Sequence, residues 1–285
     1  MTRVGDLARR WPPLRRLAWR AGRRLYCAAR GEPHLNSIGV NGEAYVQECV
    51  VAALAPGETL TAFDIGAYHG EWSLSLLDSL RAAGRVDARL RAFEPANGSR
   101  AHLLAALAAH PLGAFVAVDS IALSDSPGRA QFALMSEGGG SNSLSAPDGE
   151  PPCGWLEVET CDLTSFCRRE GIERIHLVKC DAEGHDPLIL RGAFELLREE
   201  RIDILQFEYN HRWVQSRAFL KDVFALVADL PYEVARILPR GLETLPGWHF
   251  ELERFFEANY LLVRRPALDW FAVRRGGFDA SNVYV

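Results

Sequence analysis

Between residues 42 and 264, short apolar runs of strand length alternate with stretches in which apolar residues recur every three to four positions. The helical pattern predicts helices over 44–54, 71–80, 99–109, 163–170, 187–199 and 217–230. The short runs predict strands over 59–65, 88–93, 114–122, 130–135, 155–161, 175–180, 202–207, 232–237 and 259–264. Strands that alternate with helices across short connections specify an α/β fold, a Rossmann-like, mostly parallel, doubly wound sheet. The stretch 136–154 is rich in Gly, Ser and Pro and is expected to be a long loop. No internal repeat or long linker interrupts the pattern. The chain therefore divides into an arm over 1–41, one domain over 42–266 and a tail over 267–285.

The arm changes the picture through its charge. Its first thirty residues hold nine arginines and one acid, Asp6, while the whole chain carries a formal net charge of −5. Apolar residues at Leu7, Trp11, Leu14, Leu17, Ala18, Ala21 and Leu25, with Pro12-Pro13 between them, predict two short amphipathic helices. Three readings follow: an arm packed on the domain or on a second subunit of a homodimer, a weak attachment to an anionic membrane surface or an acidic protein, or, fitting the composition less well, an organelle transit peptide. The acidic balance of the whole chain argues against nucleic acid as a partner. Six cysteines without metal-ligand spacing are expected to be reduced thiols of a cytoplasmic protein. No apolar run approaches membrane-span length, and no signal-peptide pattern is present in the first thirty residues.

The first strand runs through Phe63-Asp64-Ile65 into Gly66-Ala67-Tyr68-His69-Gly70 and then a helix containing Ser73. Gly66 lets the turn bring backbone close to a ligand, and Gly70 permits tight passage into the helix. The spacing lacks the G-x-G-x-x-G that a dinucleotide pyrophosphate needs, which counts against the alternative of an NAD-type oxidoreductase. S-adenosylmethionine instead presents an ammonium and a carboxylate, and an acid such as Asp64 beside the turn suits it. The second strand ends in Phe93-Glu94-Pro95, where a carboxylate can accept both ribose hydroxyls of an adenosine. The third supplies Ala122 and its neighbours to flank the adenine. Three such sites at successive strand ends predict a cofactor cleft formed by Asp64, Gly66, Ala67, Gly70, Ser73, Glu94, Pro95, Ala122 and Asp181. A non-catalytic binding protein would more readily have lost Asp64 or Glu94.

The strand over 175–180 opens into Asp181-Ala182-Glu183-Gly184-His185-Asp186, and the next strand into Phe207-Glu208-Tyr209. Taken with Phe63-Asp64-Ile65-Gly66-Ala67, Phe93-Glu94-Pro95, Ala122-Leu123-Ser124-Asp125, residues 141–144 and Gly192-Ala193, the Lys179-x-Asp181-x-Glu183-Gly184-His185 segment resembles the FkbM family of methyltransferases. The resemblance spans roughly 42–264. It implies a class I methyltransferase sheet whose last strand is antiparallel, S-adenosylmethionine as cofactor, and O-methylation of a small molecule, natural product or saccharide. Tyr68, where Asn is common, and Pro187, close behind Asp186, depart from the family pattern.

An alcohol acceptor benefits from a general base. His185 is the leading candidate, with Asp181 and Glu208 orienting it or the acceptor; the competing role for His185 is a helix cap. Asp181, Glu183, His185 and Glu208 also offer ligands for Mg²⁺, but the same carboxylates can serve the cofactor's amino group, and no metal is assigned. The glycine run 138–140 and residues 141–143 are expected over the acceptor, and Tyr209, His211, Trp213 and Trp248 are candidates to line its pocket.

Overall fold

The computed structural model describes residues 11–32, 37–136, 139–146, 149 and 151–285; Leu7, Asp6 and Gly138 lie outside them. In chain order the elements are α1 (Pro12–Ala29), α2 (Glu43–Ala53), β1 (Leu60–Ile65), α3 (Glu71–Ala82), β2 (Ala88–Phe93), α4 (Asn97–Ala109), β3 (Val116–Asp119), β4 (Ala122–Ser124), β5 (Gly128–Leu134) and β6 (Gly154–Asp162). They continue with α5 (Leu163–Arg169), β7 (Ile175–Cys180), α6 (Asp186–Gly192), α7 (Phe194–Arg198), β8 (Ile202–Tyr209), α8 (Leu220–Leu226), β9 (Tyr232–Leu238), β10 (Gly241–Leu245), β11 (Ala258–Arg264) and β12 (Val273–Arg275).

One large sheet has the order β12-β10-β9-β11-β8-β7-β1-β2-β3. β3, β2, β1, β7 and β8 run parallel, and β11 inserts antiparallel to both β8 and β9. This is the mostly parallel sheet with an antiparallel late strand that the sequence implies. Central strands are buried on both faces, so their sequences are nearly continuous apolar runs. The pleat sorts those runs. Phe63, Ile65, Phe93, Val178 and Cys180 pack on one face with Phe166 of α5, while Ala62, Leu90, Ala92 and Leu177 face α2, α3 and α4. Phe166 meets Phe63 and Phe93 edge-on, with ring centroids 5.8 and 5.0 Å away.

Several elements differ from expectation for local reasons. The strand expected over 114–122 is two: β3 ends the large sheet, and β4 leaves it to pair with β6 in a small sheet of order β4-β6-β5. The helix expected over 187–199 breaks at Ala193 into α6 and α7. The helix expected from residue 217 starts at Leu220, because Arg217 has φ +50°, outside the helical region. Pro12 and Pro13 occupy the first turn of α1, where their missing N–H groups cost nothing; the first of the two expected arm helices falls before residue 11, outside the described residues. β10 and β12, absent from the sequence reading, extend the sheet beyond β9. The segment after residue 266 thus joins the sheet, and the Tyr284 hydroxyl reaches Glu243 and Arg236.

Candidate active site

Ligand clefts in open parallel sheets lie beyond the carboxyl ends of the strands. Here β1, β2 and β7 end together: Ile65 is in register with Phe93 and with Cys180. Gly66 turns the chain with φ +77°, and a Cβ there would stand 1.9 Å from the Asp181 carbonyl oxygen, so only glycine lets the two loops meet. The N–H groups of Gly66 and Ala67 donate to the Phe93 carbonyl, and that of Asp181 to the Ile65 carbonyl. Between these loops and the small sheet lies a cleft.

Of the expected cofactor residues, Gly66, Glu94, Pro95, Ala122 and Asp181 line the cleft. Glu94 is its fixed point. One carboxylate oxygen accepts the Tyr68 N–H at 2.9 Å and the other the Ala96 N–H at 2.8 Å, leaving a second acceptor position on each. Burial pushes its pKa up to about 7 against those two N–H groups. Ile121, Leu123, Phe132 and Leu144 add apolar wall. Ser99, in the first turn of α4, also lines the cleft, and its buried hydroxyl has no partner. Sequence reading passed over Ser99; its signal was a hydroxyl at a helix start just after the strand-end acid.

The other expected cofactor residues stand behind the turn. Asp64 points to the opposite sheet face from Phe63 and Ile65, fully buried, where one oxygen accepts the Ser73 hydroxyl at 2.7 Å and the other has no partner. Burial raises its pKa, offset by Lys179. Lys179 lies within 3.0 Å of Asp181. Burial works against its charge, yet Asp181, Asp64 and Glu43 together hold the ammonium above its ordinary pKa. Gly70, at φ +90°, caps α3 and lets Leu103 of α4 approach. Tyr68 adopts φ +48°, the left-handed region that Asn tolerates better than Tyr; its ring stacks on His69 beside Gly140 of the loop.

His185 also lines the cleft, but both ring nitrogens are engaged, Nε2 with the Ser124 hydroxyl and Nδ1 with the Ser145 hydroxyl, each at 2.9 Å. Burial pushes its pKa down to about 4. It occupies the N-cap position of α6 without a side-chain cap bond. Glu208 sits behind the rim, bonded to the Asn210 amide at 2.7 Å, and burial together with Asp181 and Glu257 raises its pKa well above the ordinary carboxylate range. Glu183 is the rim carboxylate the sequence reading left without a catalytic role. It has φ +54°, lines the cleft, and pairs with Arg212 at 3.1 Å. Burial and Asp181 push its pKa up to about 7 despite that arginine. Tyr209 and Trp213 do not line an acceptor pocket: both are core residues, packed edge-on against each other. The Tyr209 hydroxyl and the Trp248 indole both bond Glu253, and His211 is exposed. Among the described residues no group of three or more His, Cys, Asp or Glu is arranged to hold a metal ion.

The donor set of the cleft fits S-adenosylmethionine: a carboxylate with spare acceptor positions for a diol, an unpartnered hydroxyl, an apolar slot, and carboxylates for an ammonium. The family model described as the methyltransferase FkbM domain matches residues 64–234. Among solved structures, the chain is similar to the methyltransferase FkbM from Methylobacillus flagellatus KT, with 14% identity and a TM-score of 0.46 over 74% of this chain and 45% of that one. The chain thus spans less than half the length of that relative. It is also similar to the N-terminal domain of human METTL16 in complex with SAH (10% identity, TM-score 0.42, 78% of this chain and 68% of that one). The citrinin polyketide synthase CMeT domain is similar at 10% identity and a TM-score of 0.41, over 78% of this chain and 51% of that one. No curated protein matches the sequence.

Proposed function

The chain belongs to the FkbM methyltransferase family, and from that premise we propose that it transfers a methyl group from S-adenosylmethionine to a hydroxyl oxygen of a small molecule or saccharide. The observation that carries this reading is the meeting, in one cleft, of Glu94, an apolar slot and the rim carboxylates Asp181 and Glu183. When bound, the cofactor supplies a methyl group on a sulfonium, already activated for in-line displacement.

The chain's residues then have two tasks, to hold and to deprotonate. Glu94 accepts the ribose hydroxyls with the positions its backbone donors leave open. Ile121, Leu123, Phe132 and Leu144 flank the adenine, and Asp181, steadied by Lys179, accepts from the amino group. On the acceptor side, His185 at about 4 is a weak base that orders Ser124 and Ser145. Glu183, poised near 7, is the better proton acceptor at neutral pH, and Arg212 holds it in place. The Glu183 carboxylate would accept the proton of an acceptor hydroxyl positioned for methylation.

Calorimetric titration with S-adenosylhomocysteine tests the first half. Micromolar binding to wild type and loss in Glu94→Ala are expected; a folded wild-type protein that binds none overturns the reading in favour of a non-catalytic relative. With an acceptor in hand, Glu183→Gln is expected to lower kcat by about 10²–10⁴-fold while S-adenosylhomocysteine affinity stays unchanged. An unchanged kcat would return the base to His185 or Asp181.

A further inference from the structure

Helix α1 is eighteen residues long and has no buried residue. At helical spacing, Leu14, Leu17, Ala18, Ala21, Leu25 and Ala28 form one apolar face. Leu17 is 65% and Leu25 72% exposed, as is Trp11 at the helix start at 60%. The helix meets the body with its other side and near its end. The Tyr26 hydroxyl bonds Glu251 at 2.7 Å, the Tyr26 ring lies 5.9 Å from that of Phe256, and Arg23 sits over Phe256. Tyr26 and Arg23 project from the side opposite the leucines, so the contact that fixes the helix turns its apolar face outward. Leu14 is half-buried, and among the described residues nothing covers Leu17, Ala18, Ala21, Leu25 or Ala28.

We propose that α1 lies on an anionic lipid bilayer, with its leucine face in the headgroup–acyl boundary and its arginines on the lipid phosphates. Charge decides the occupant. Arg15 flanks the apolar face on one side and Arg20 and Arg24 on the other, and the helix contains no acid. An identical helix from a second copy would set arginine against arginine. The rest of the chain has more acids than basic residues, so an anionic surface repels the body and attracts the helix, which orients the approach. A narrow apolar face bordered by arginine, on a helix too polar to cross a membrane, is the pattern of an interfacial helix.

Co-sedimentation of the full chain with large unilamellar vesicles tests this, comparing phosphatidylcholine alone with the same lipid containing about 30% phosphatidylglycerol at about 0.1 M salt. Wild type is expected in the pellet only with the anionic vesicles. Leu17→Glu/Leu25→Glu removes the apolar contribution, and Arg20→Glu/Arg24→Glu the electrostatic one, by about fivefold or more in partition for each charge reversed. Both double variants are expected to stay in the supernatant with unchanged thermal midpoints, since the substituted side chains are solvent-exposed. Wild type that stays in the supernatant with anionic vesicles overturns the proposal. So does binding that both variants retain. A stable wild-type dimer, seen by light scattering without lipid and dissolved by Leu17→Glu/Leu25→Glu, also overturns it and assigns the face to a second copy.

Discussion

Glu94 shows how one buried side chain sets a measurable property of the whole site. Its pKa is pushed up to about 7 because burial removes water while two N–H groups return only part of the lost solvation. Two ribose hydroxyls donate, so they prefer the carboxylate to the carboxylic acid. Below that pKa a proton must leave before the ligand is held. Affinity for S-adenosylhomocysteine is therefore expected to rise by up to about tenfold per pH unit from about pH 5.5 to 7 and to level off above. Titrating at several pH values checks this, and Glu94→Gln is expected to bind more weakly with that part of the dependence gone. A slope that survives in Glu94→Gln belongs to another group. At this scale the strand-end acid was legible in the sequence, because its position beside Pro95 fixes its place in the fold. Asp64 was legible as a site residue but not as to side: the pleat that sends Phe63 and Ile65 to one face sends Asp64 to the other, behind the turn. The burial that raises Glu183 comes from packing among distant segments that no local pattern carries, whereas its charged neighbour Asp181 stands two residues away in the sequence.

Elements place these residues, and a single close approach governs one of them. α6 begins at the rim with Asp186 and ends at Gly192, where a Cβ would stand 2.2 Å from the Ser124 carbonyl oxygen. Ser124 also bonds His185, so the glycine that lets α6 lie against β4 also lets the imidazole reach its serine. Thr164 of α5 donates to the Gly192 carbonyl at 2.8 Å, which leaves the helix no room to slide. Gly192→Ala is expected to destabilise the fold by about 1–3 kcal/mol through overpacking, read from denaturant midpoints. It should also weaken S-adenosylhomocysteine binding, since β4 carries Ala122 and Leu123 of the cleft wall. A stable variant with full affinity would show that α6 and β4 are not mechanically linked to the site. Gly192-Ala193 belonged to the family resemblance before any role was visible. The periodic pattern through it concealed the break between α6 and α7, because two short helices with one shared apolar face produce the same spacing as one long helix.

At the scale of the molecule, one guanidinium joins three distant parts of the chain. Arg236 of β9 is 2% exposed; it pairs with Glu243 of β10 at 2.6 Å and with Glu32 at the root of α1 at 3.1 Å, and donates to the Arg30 carbonyl at 2.7 Å. Tyr284, near the last residue, bonds both Arg236 and Glu243. No sequence pattern pairs residues 32, 236, 243 and 284, which is why the arm and tail looked separable from the domain. A charge this deeply buried is held by its partners, so removing one costs more than the pair itself contributes. Glu243→Ala is expected to lower unfolding free energy by about 3–5 kcal/mol, by taking from Arg236 one of the two buried carboxylates it pairs with. Replacing the pair with Arg236→Met/Glu243→Leu should recover much of that loss, because two apolar side chains need no partner. Denaturant unfolding of both variants distinguishes the cases. Equal losses would mean the cluster acts through its own attraction, whereas recovery in the double variant would mean that it acts through the penalty of an unpaired charge. In either case S-adenosylhomocysteine affinity should hold while the proteins remain folded, since none of these residues lines the cleft. Increased protease sensitivity at both ends of the Glu243→Ala chain would show that the same contact secures the helix root and the tail.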